Sequence, residues 1–330
     1  MNSTDYARFL PPHYRDRALA TKPRSTWWNW RGRRVHIART SNPDTPLRVI
    51  IIHGAGGYSD ALWPYADIAA GEAGEVMLPD LPLYGYTVEP RPGQVRYEDW
   101  IELLCDLVRA EHRADDRPLV LLGASMGGML AYEVAARTRR VAAVAATCLL
   151  DPSAPDARRA AARFSGTGRI APAVLGVLDR VARGHRLPIR WVVDMNSMSN
   201  DPGLSRLCAT DPRGGGARVP VGFLASFLRF RPTPPETFDA APVTLVHPAD
   251  DRWTPPELSV RFLDRIKSKH HLGTARRVRA LPHRGARSHP ARPCHDIPSA
   301  AAGRVVTDGT PGEASRGGTR VTAFPAGCSP

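Results

Sequence analysis

Residues 119–128 constrain the fold of this 330-residue chain more than any other stretch. The apolar run Leu119-Val120-Leu121-Leu122 reads as a buried strand. Gly123-Ala124-Ser125-Met126-Gly127-Gly128 reads as a sharp turn, and Met126 to Arg137 as a helix. A serine hydroxyl is a weak nucleophile until it is held exposed, at a fixed angle to a base. A tight strand-to-helix turn gives that exposure, and it needs small residues on either side, here Gly123 and Gly127. The pattern G-x-S-x-G also arises by chance in glycine-rich chains, and the competing reading is an ordinary turn whose serine caps the helix. The strand before it and the helix after it favour the nucleophile.

Strand and helix alternate on both sides of that turn. Trp27 to Ile37 reads as two short strands turning at Gly32, with an aromatic stripe that suits hairpin packing. Leu47 to Ile52 is apolar and β-branched, as in a strand buried on both faces. Residues from about Asp60 to Ala70 suit a helix, and Glu75 to Leu78 a further strand. Trp100, Ile101, Leu104, Leu107 and Val108 recur at helical spacing between Tyr97 and His112, and Val141 to Leu150 is another apolar strand. Such alternation predicts a parallel sheet with right-handed crossovers.

The alternation breaks at Asp151-Pro152. Helical pieces at 156–164, 173–183 and 221–230 are separated by breaks such as Asp211-Pro212-Arg213-Gly214-Gly215-Gly216, so 151–240 reads as a helical insertion. Strand Val243 to His247 and a helix from about Pro256 to Ile266 then resume the pattern. The expected organisation is a core in two parts, 1–150 and 241–266, a helical insertion at 151–240, and a basic tail of low order at 267–330.

Charge sets limits on partners. The net charge is +13, yet residues 267–330 carry eleven Lys/Arg against three Asp/Glu, a net of +8, with Phe324 their single aromatic. A nucleic-acid surface needs basic residues on a folded face, often with stacking aromatics, so no nucleic-acid partner is expected. The five cysteines form no C-x-x-C pair, which points to neither a disulfide framework nor a metal site. Cys105 and Cys148 lie in apolar runs and read as buried thiols. No run approaches the roughly 20 apolar residues of a membrane span, and Met1 to Leu10 lacks a basic segment ahead of an apolar one. A cytoplasmic protein without a transmembrane segment is expected.

An acyl-transfer site needs two further components. The oxyanion of the tetrahedral intermediate requires donors, expected from the backbone N–H of Met126 and of Ala55 in His53-Gly54-Ala55-Gly56-Gly57. That loop spells neither G-x-G-x-x-G nor G-x-x-x-x-G-K-[ST], so dinucleotide and P-loop readings are weak. An acid should follow a late strand, and Ala249-Asp250-Asp251-Arg252 offers two.

On these three motifs the chain resembles the α/β-hydrolase superfamily, particularly its monoacylglycerol-lipase and lysophospholipase-like branch, over about residues 27–266. The resemblance implies a mostly parallel sheet flanked by helices, with 151–240 as a helical cap. It implies Ser125 as nucleophile, Ala55 and Met126 as the oxyanion hole, and Asp251 as the acid, preferred to Asp250 because Pro255 follows it by four. The implied activity is cleavage of a carboxylic ester through an acyl-enzyme, with a small-molecule ester or lipid-like substrate and no cofactor. Leu175, Leu178, Val181, Trp191, Met195, Met198 and Phe223–Phe227 are candidates to line an acyl pocket or to pack the cap onto the core. Where relatives often have Gly-His-Gly, this chain has Leu81-Pro82-Leu83-Tyr84-Gly85.

The family's histidine is the missing part. A Gly-His step is expected about thirty residues beyond the acid, where Ala280 stands, and none occurs after Asp251. Back-translation of Arg279–Ala286 is compatible, in a neighbouring frame, with Gly-His-Phe-Pro-Ile-Glu-Glu, so a frameshift near 267–275 is expected to have left a non-native tail. A hydrolase-fold binding protein is the alternative function. His270, His271, His283, His289 and His295 are the remaining imidazoles, His283 being nearest the family's position. His53 and His247, at strand ends, read as loop supports.

Overall fold

The computed structural model describes residues 1–20, 22–70, 74–161, 171–248, 251 and 253–273. Two short helices, α1 (Ser3–Ala7) and α2 (Pro12–Ala20), precede strands β1 (Arg24–Trp30) and β2 (Arg33–Arg39). Arg31 and Gly32 join the strands at φ 47° and 80°. Left-handed conformation at both central residues gives the turn the twist that a two-residue hairpin needs.

From there the expected alternation is present. Strand β3 (Leu47–Ile52) is followed by α3 (Ser59–Ala70), β4 (Gly74–Pro79), α4 (Tyr97–Ala114), β5 (Leu119–Gly123), α5 (Met126–Thr138) and β6 (Ala143–Ala146). The insertion contributes α6 (Pro155–Ala161), α7 (Ala171–Ala182), β7 (Arg186–Pro188), α8 (Pro202–Thr210), β8 (Arg218–Pro220) and α9 (Val221–Arg229). Strands β7 and β8 pair antiparallel as a small sheet of their own, so the insertion is not wholly helical. Strand β9 (Val243–Leu245), α10 (Pro256–Leu263) and β10 (His270–Leu272) complete the described chain.

The main sheet runs β1-β2-β4-β3-β5-β6-β9-β10. β1–β2 and β2–β4 are antiparallel and the remaining pairs parallel. This is the α/β-hydrolase fold, a mostly parallel sheet flanked by helices. Val49 to Ile52 of β3 are all buried because helices cover both faces of a parallel sheet. On α4 the side chains at helical spacing, Trp100, Ile101, Leu104, Leu107 and Val108, are at most 2% exposed, each removal from water contributing about 1.5–3 kcal/mol.

One expected boundary moves. Strand β10 lies within the stretch read as tail from residue 267, and the sheet therefore extends to Leu272. Lys267 and Ser268 donate to the carbonyls of Pro235 and Phe238, and β10 pairs parallel with β9. Three residues too short to show a period gain their backbone partners from a neighbouring strand. Residues 274–330, with His283, His289, His295 and the proposed frame junction's downstream sequence, lie outside the described residues, as do Asp250 and Arg252.

The chain passes from β3 to β4 on one side and then to β5 on the other. Such a reversal opens a crevice at the carboxyl ends of the strands, where ligands of open α/β sheets bind. The loops after β3, β5 and β9 meet that end of the sheet.

Candidate active site

Ser125 occupies the bend between β5 and α5 at φ 53°, ψ −124°. This is backbone space that a non-glycine residue enters at a cost of about 1–3 kcal/mol, and it is over-determined here. The Ser125 amide donates to Oγ1 of Thr147 (2.9 Å), while Gly127 and Gly128 donate to the carbonyls of Ala124 (2.8 Å) and Ser125 (2.9 Å). A side chain at Gly123 would strike the Gly127 carbonyl, and one at Gly127 the carbonyl of Ile52. The helix therefore starts in direct contact with two strands. The hydroxyl of Ser125 makes no capping bond to α5, and the residue is half-buried. The capping role, the bland reading of the sequence, is not the one this side chain takes.

The loop 53–57 lies against the bend. A Cβ on Gly54 would come 3.0 Å from both the Ala124 oxygen and the Ser125 Cβ, and 3.2 Å from the Met126 nitrogen. Met126 opens α5, so its N–H has no acceptor within the helix. His53 is fully buried behind the loop. Its Nε2 accepts from the Leu81 amide (3.0 Å) and Nδ1 lies 2.8 Å from the Gly54 oxygen. Those roles fix the neutral tautomer with the proton on Nδ1. Burial lowers its pKa, against a smaller opposing pull from the Gly54 carbonyl and Asp80. His53 thus braces two loops.

Asp251 follows β9. Its Oδ1 accepts from the amides of Trp253 (2.8 Å) and Thr254 (3.0 Å), and Oδ2 from Oγ1 of Thr254 (2.7 Å). Nε2 of His247 lies 3.2 Å from Oδ2 and 3.1 Å from the Thr254 carbonyl, while its buried Nδ1 has no hydrogen-bond partner among the described residues. Burial by itself would raise the Asp251 pKa, but the bonds from His247, Thr254 and Trp253 outweigh it and hold the carboxyl below the usual aspartate value. The contacts of Thr254 were not anticipated. An aspartate followed by a hydroxyl residue three positions on is the local pattern that would have indicated them.

Among the described residues, no imidazole hydrogen-bonds the Ser125 hydroxyl. His270 and His271 align with Val243 and Thr244 at the start of β9, whereas Asp251 lies beyond its end. The parallel register therefore carries both away from the bend. No group of three or more His, Cys, Asp or Glu among the described residues could hold a metal ion, and no described helix is long and apolar enough to cross a membrane.

The insertion rests on the same loop. A Cβ on Gly56 would come 2.8 Å from the Met195 methyl and 3.1 Å from the Gly215 Cα, and one on Gly214 would come 2.6 Å from the Gly56 oxygen. The Gly85 amide donates to the Arg213 carbonyl (3.0 Å). Of the residues read as pocket-lining, Met195, Met198 and Phe223 are buried, whereas Val181 and Trp191 are 77% and 57% exposed. Leu83, in the loop that departs from the Gly-His-Gly pattern, takes φ 86°.

A family model described as "Alpha/beta hydrolase family" matches residues 49–301. No curated protein sequence matches the chain. Among solved structures, a monoglyceride lipase from Saccharomyces cerevisiae aligns at TM-score 0.60 and 18% identity, covering 77% of this chain and 85% of that one. A monoacylglycerol lipase from Paleococcus ferrophilus aligns at 0.55 and 22%, covering 73% and 88%. A thermophilic esterase from Thermogutta terrifontis aligns at 0.52 and 20%, covering 77% and 90%. At these identities the likeness is one of fold.

Proposed function

Because this chain belongs to the alpha/beta hydrolase family, we propose that it is an ester hydrolase with Ser125 as its nucleophile. One observation carries the reading: Ser125 stands in a strained bend with its hydroxyl unused as a cap, against the loop 53–57. In the first step Oγ attacks the ester carbonyl carbon and a base takes the hydroxyl proton. The amides of Ala55 and Met126 hold the oxyanion. The base then protonates the departing alcohol, and an acyl-enzyme remains. Water repeats the sequence, releasing the acid and restoring the serine. Both steps balance without a metal or organic cofactor.

Asp251 is proposed to orient the base. The order Ser…Asp…His puts that base after Asp251, and His283 is the candidate. Residues 151–240 are proposed to cap the site. A lipid-like acyl chain is favoured by the Met195 and Met198 methyl groups beside Gly56, and by fold likeness to monoacylglycerol and monoglyceride lipases.

The second reading is a hydrolase-fold binding protein. It is favoured by the absence, among the described residues, of an imidazole on Ser125. Hydrolysis of p-nitrophenyl esters of increasing acyl length separates the two. Turnover that disappears in Ser125→Ala supports the hydrolase; turnover equal in wild type and variant refutes Ser125 as its nucleophile, and no turnover by the wild type leaves the binding protein.

A further inference from the structure

A complete serine–histidine–aspartate relay stands outside the proposed site, on the antiparallel side of the sheet. Ser25 of β1 pairs with Ala38 of β2, and Trp27 with His36. Alternation therefore places Ser25 and His36 on one face as diagonal neighbours. Asp80 follows β4, and its amide donates to the His36 carbonyl (2.8 Å), which brings its carboxyl group beside the imidazole. Nδ1 of His36 lies 2.9 Å from Oδ2 of Asp80, and Nε2 lies 2.9 Å from Oγ of Ser25.

The surroundings fix the direction of the relay. Asp80 is fully buried, and its carboxyl oxygens accept from the amides of Ser59 (2.6 Å) and Tyr86 (2.8 Å) and from the Ser59 hydroxyl (3.2 Å). Since the carboxyl group acts as acceptor, Nδ1 of His36 donates to it, and in the neutral imidazole this leaves the lone pair on Nε2. The hydroxyl of Ser25 then donates to Nε2, as a serine does to its general base. His36 is itself buried between the rings of Trp27 and Tyr86, with centroids 5.1 and 5.0 Å away. Gly85, at φ 61°, lets the loop close over Asp80, where any side chain would strike the carboxylate. Ser25 alone of the three is exposed, on the edge strand β1. Base and orienting acid are buried, and the hydroxyl belongs to an exposed residue.

We propose that Ser25 is a second nucleophile, independent of Ser125, that takes an acyl group from small activated esters. A bond forms between Oγ of Ser25 and the carbonyl carbon, and the bond to the leaving phenolate or alkoxide breaks. The serine proton passes to Nε2 of His36 and from there to the leaving group. The products are an O-acyl serine and the free phenol or alcohol. Capture of this kind requires an activated hydroxyl and an open approach, both of which Ser25 has.

The test uses a fluorophosphonate, which mimics the activated acyl donor: a serine oxygen bonds to its phosphorus and fluoride leaves. Full-length Ser125→Ala protein is labelled, and adducts are located by peptide mapping, with the exposed Ser41 as an internal reference. The expected adduct is at Ser25, formed about 100-fold faster than at Ser41, abolished by Ser25→Ala and slowed about as much by His36→Gln. Should buried His36→Gln fail to fold, the comparison with Ser41 in the folded Ser125→Ala protein decides. Labelling of Ser25 no faster than Ser41, or undiminished in a folded His36→Gln, overturns the proposal and leaves a tie between strands. With Ser125 removed, the outcome is independent of the hydrolase reading.

Discussion

Nε2 of His247 approaches Oδ2 of Asp251 to 3.2 Å, from the same strand end and four residues away. Together with Thr254 and Trp253 it holds the carboxylate in position through bonds made within its own loop. The bonds that tie Asp251 to Trp253 and Thr254 are local in sequence.

Asp251→Asn replaces an acceptor-only group with one that turns an N–H toward existing donors. The expected loss is about 1–3 kcal/mol in urea unfolding at neutral pH. Because the folded carboxyl is held below its unfolded value, its contribution is present above the unfolded aspartate pKa of about 3.9. It is lost as pH falls through the lower folded value. The gap between wild type and Asp251→Asn should therefore close on acidification below about pH 4. A gap that widens there would contradict the assignment.

Ser125→Ala and Ser125→Gly should both abolish ester turnover, yet differ in stability. Alanine keeps the strain of φ 53°, whereas glycine relieves it, so the glycine variant should be more stable than the alanine variant by about 1 kcal/mol. Thermal melts of the two proteins, compared at one pH, check this.

Two glycines make opposite predictions under the same substitution. Gly123→Ala should disrupt folding or cost more than about 3 kcal/mol, since its methyl group meets the Gly127 backbone. Gly176→Ala, inside α7 with nothing among the described residues within 4 Å of the new carbon, should stabilise by about 0.5–1 kcal/mol. Denaturant titration of both variants supplies the comparison.

The phenols of Tyr6 and Tyr58 each donate to Oδ2 of Asp211 at 2.7 Å, tying α1 and the start of α3 to the insertion. Burial pushes both phenol pKa values far up, with Asp211 adding to it at Tyr58 and Cys208 and then Asp211 at Tyr6. Tyr6→Phe should cost about 1.5–3 kcal/mol, as for a hydrogen bond to a charged group. The Tyr6→Phe/Tyr58→Phe pair should be non-additive because the two share one oxygen. A double-mutant cycle that sums within about 0.3 kcal/mol would refute the shared acceptor.

The bend at Ser125 was legible because its demands are local: an apolar strand, small residues at two fixed offsets and a helix, all within about twenty residues. Strand β3 and helix α4 were legible for the same reason, through burial and period. Helices α1 and α2, five and nine residues long, were not anticipated, and β10 exists through its pairing with β9 rather than through His270-His271-Leu272. The relay at Ser25, His36 and Asp80 depends on register across three strands, its histidine and aspartate standing 44 positions apart in sequence. Alternation could pair Ser25 with His36 once the hairpin turn was placed at Gly32, but only the sheet order brings Asp80 alongside.

The glycine turn of the insertion and the loop after β3 touch main chain to main chain, Gly214 against the oxygen of Gly56, with no side chain to act as a cushion. Two stretches some 160 residues apart are in this respect one mechanical part. A lengthened turn at 211–216 would be transmitted undamped to the amide of Ala55. Variation in the insertion is thus free on the outward flank of α7 and confined where the turn bears on residue 56.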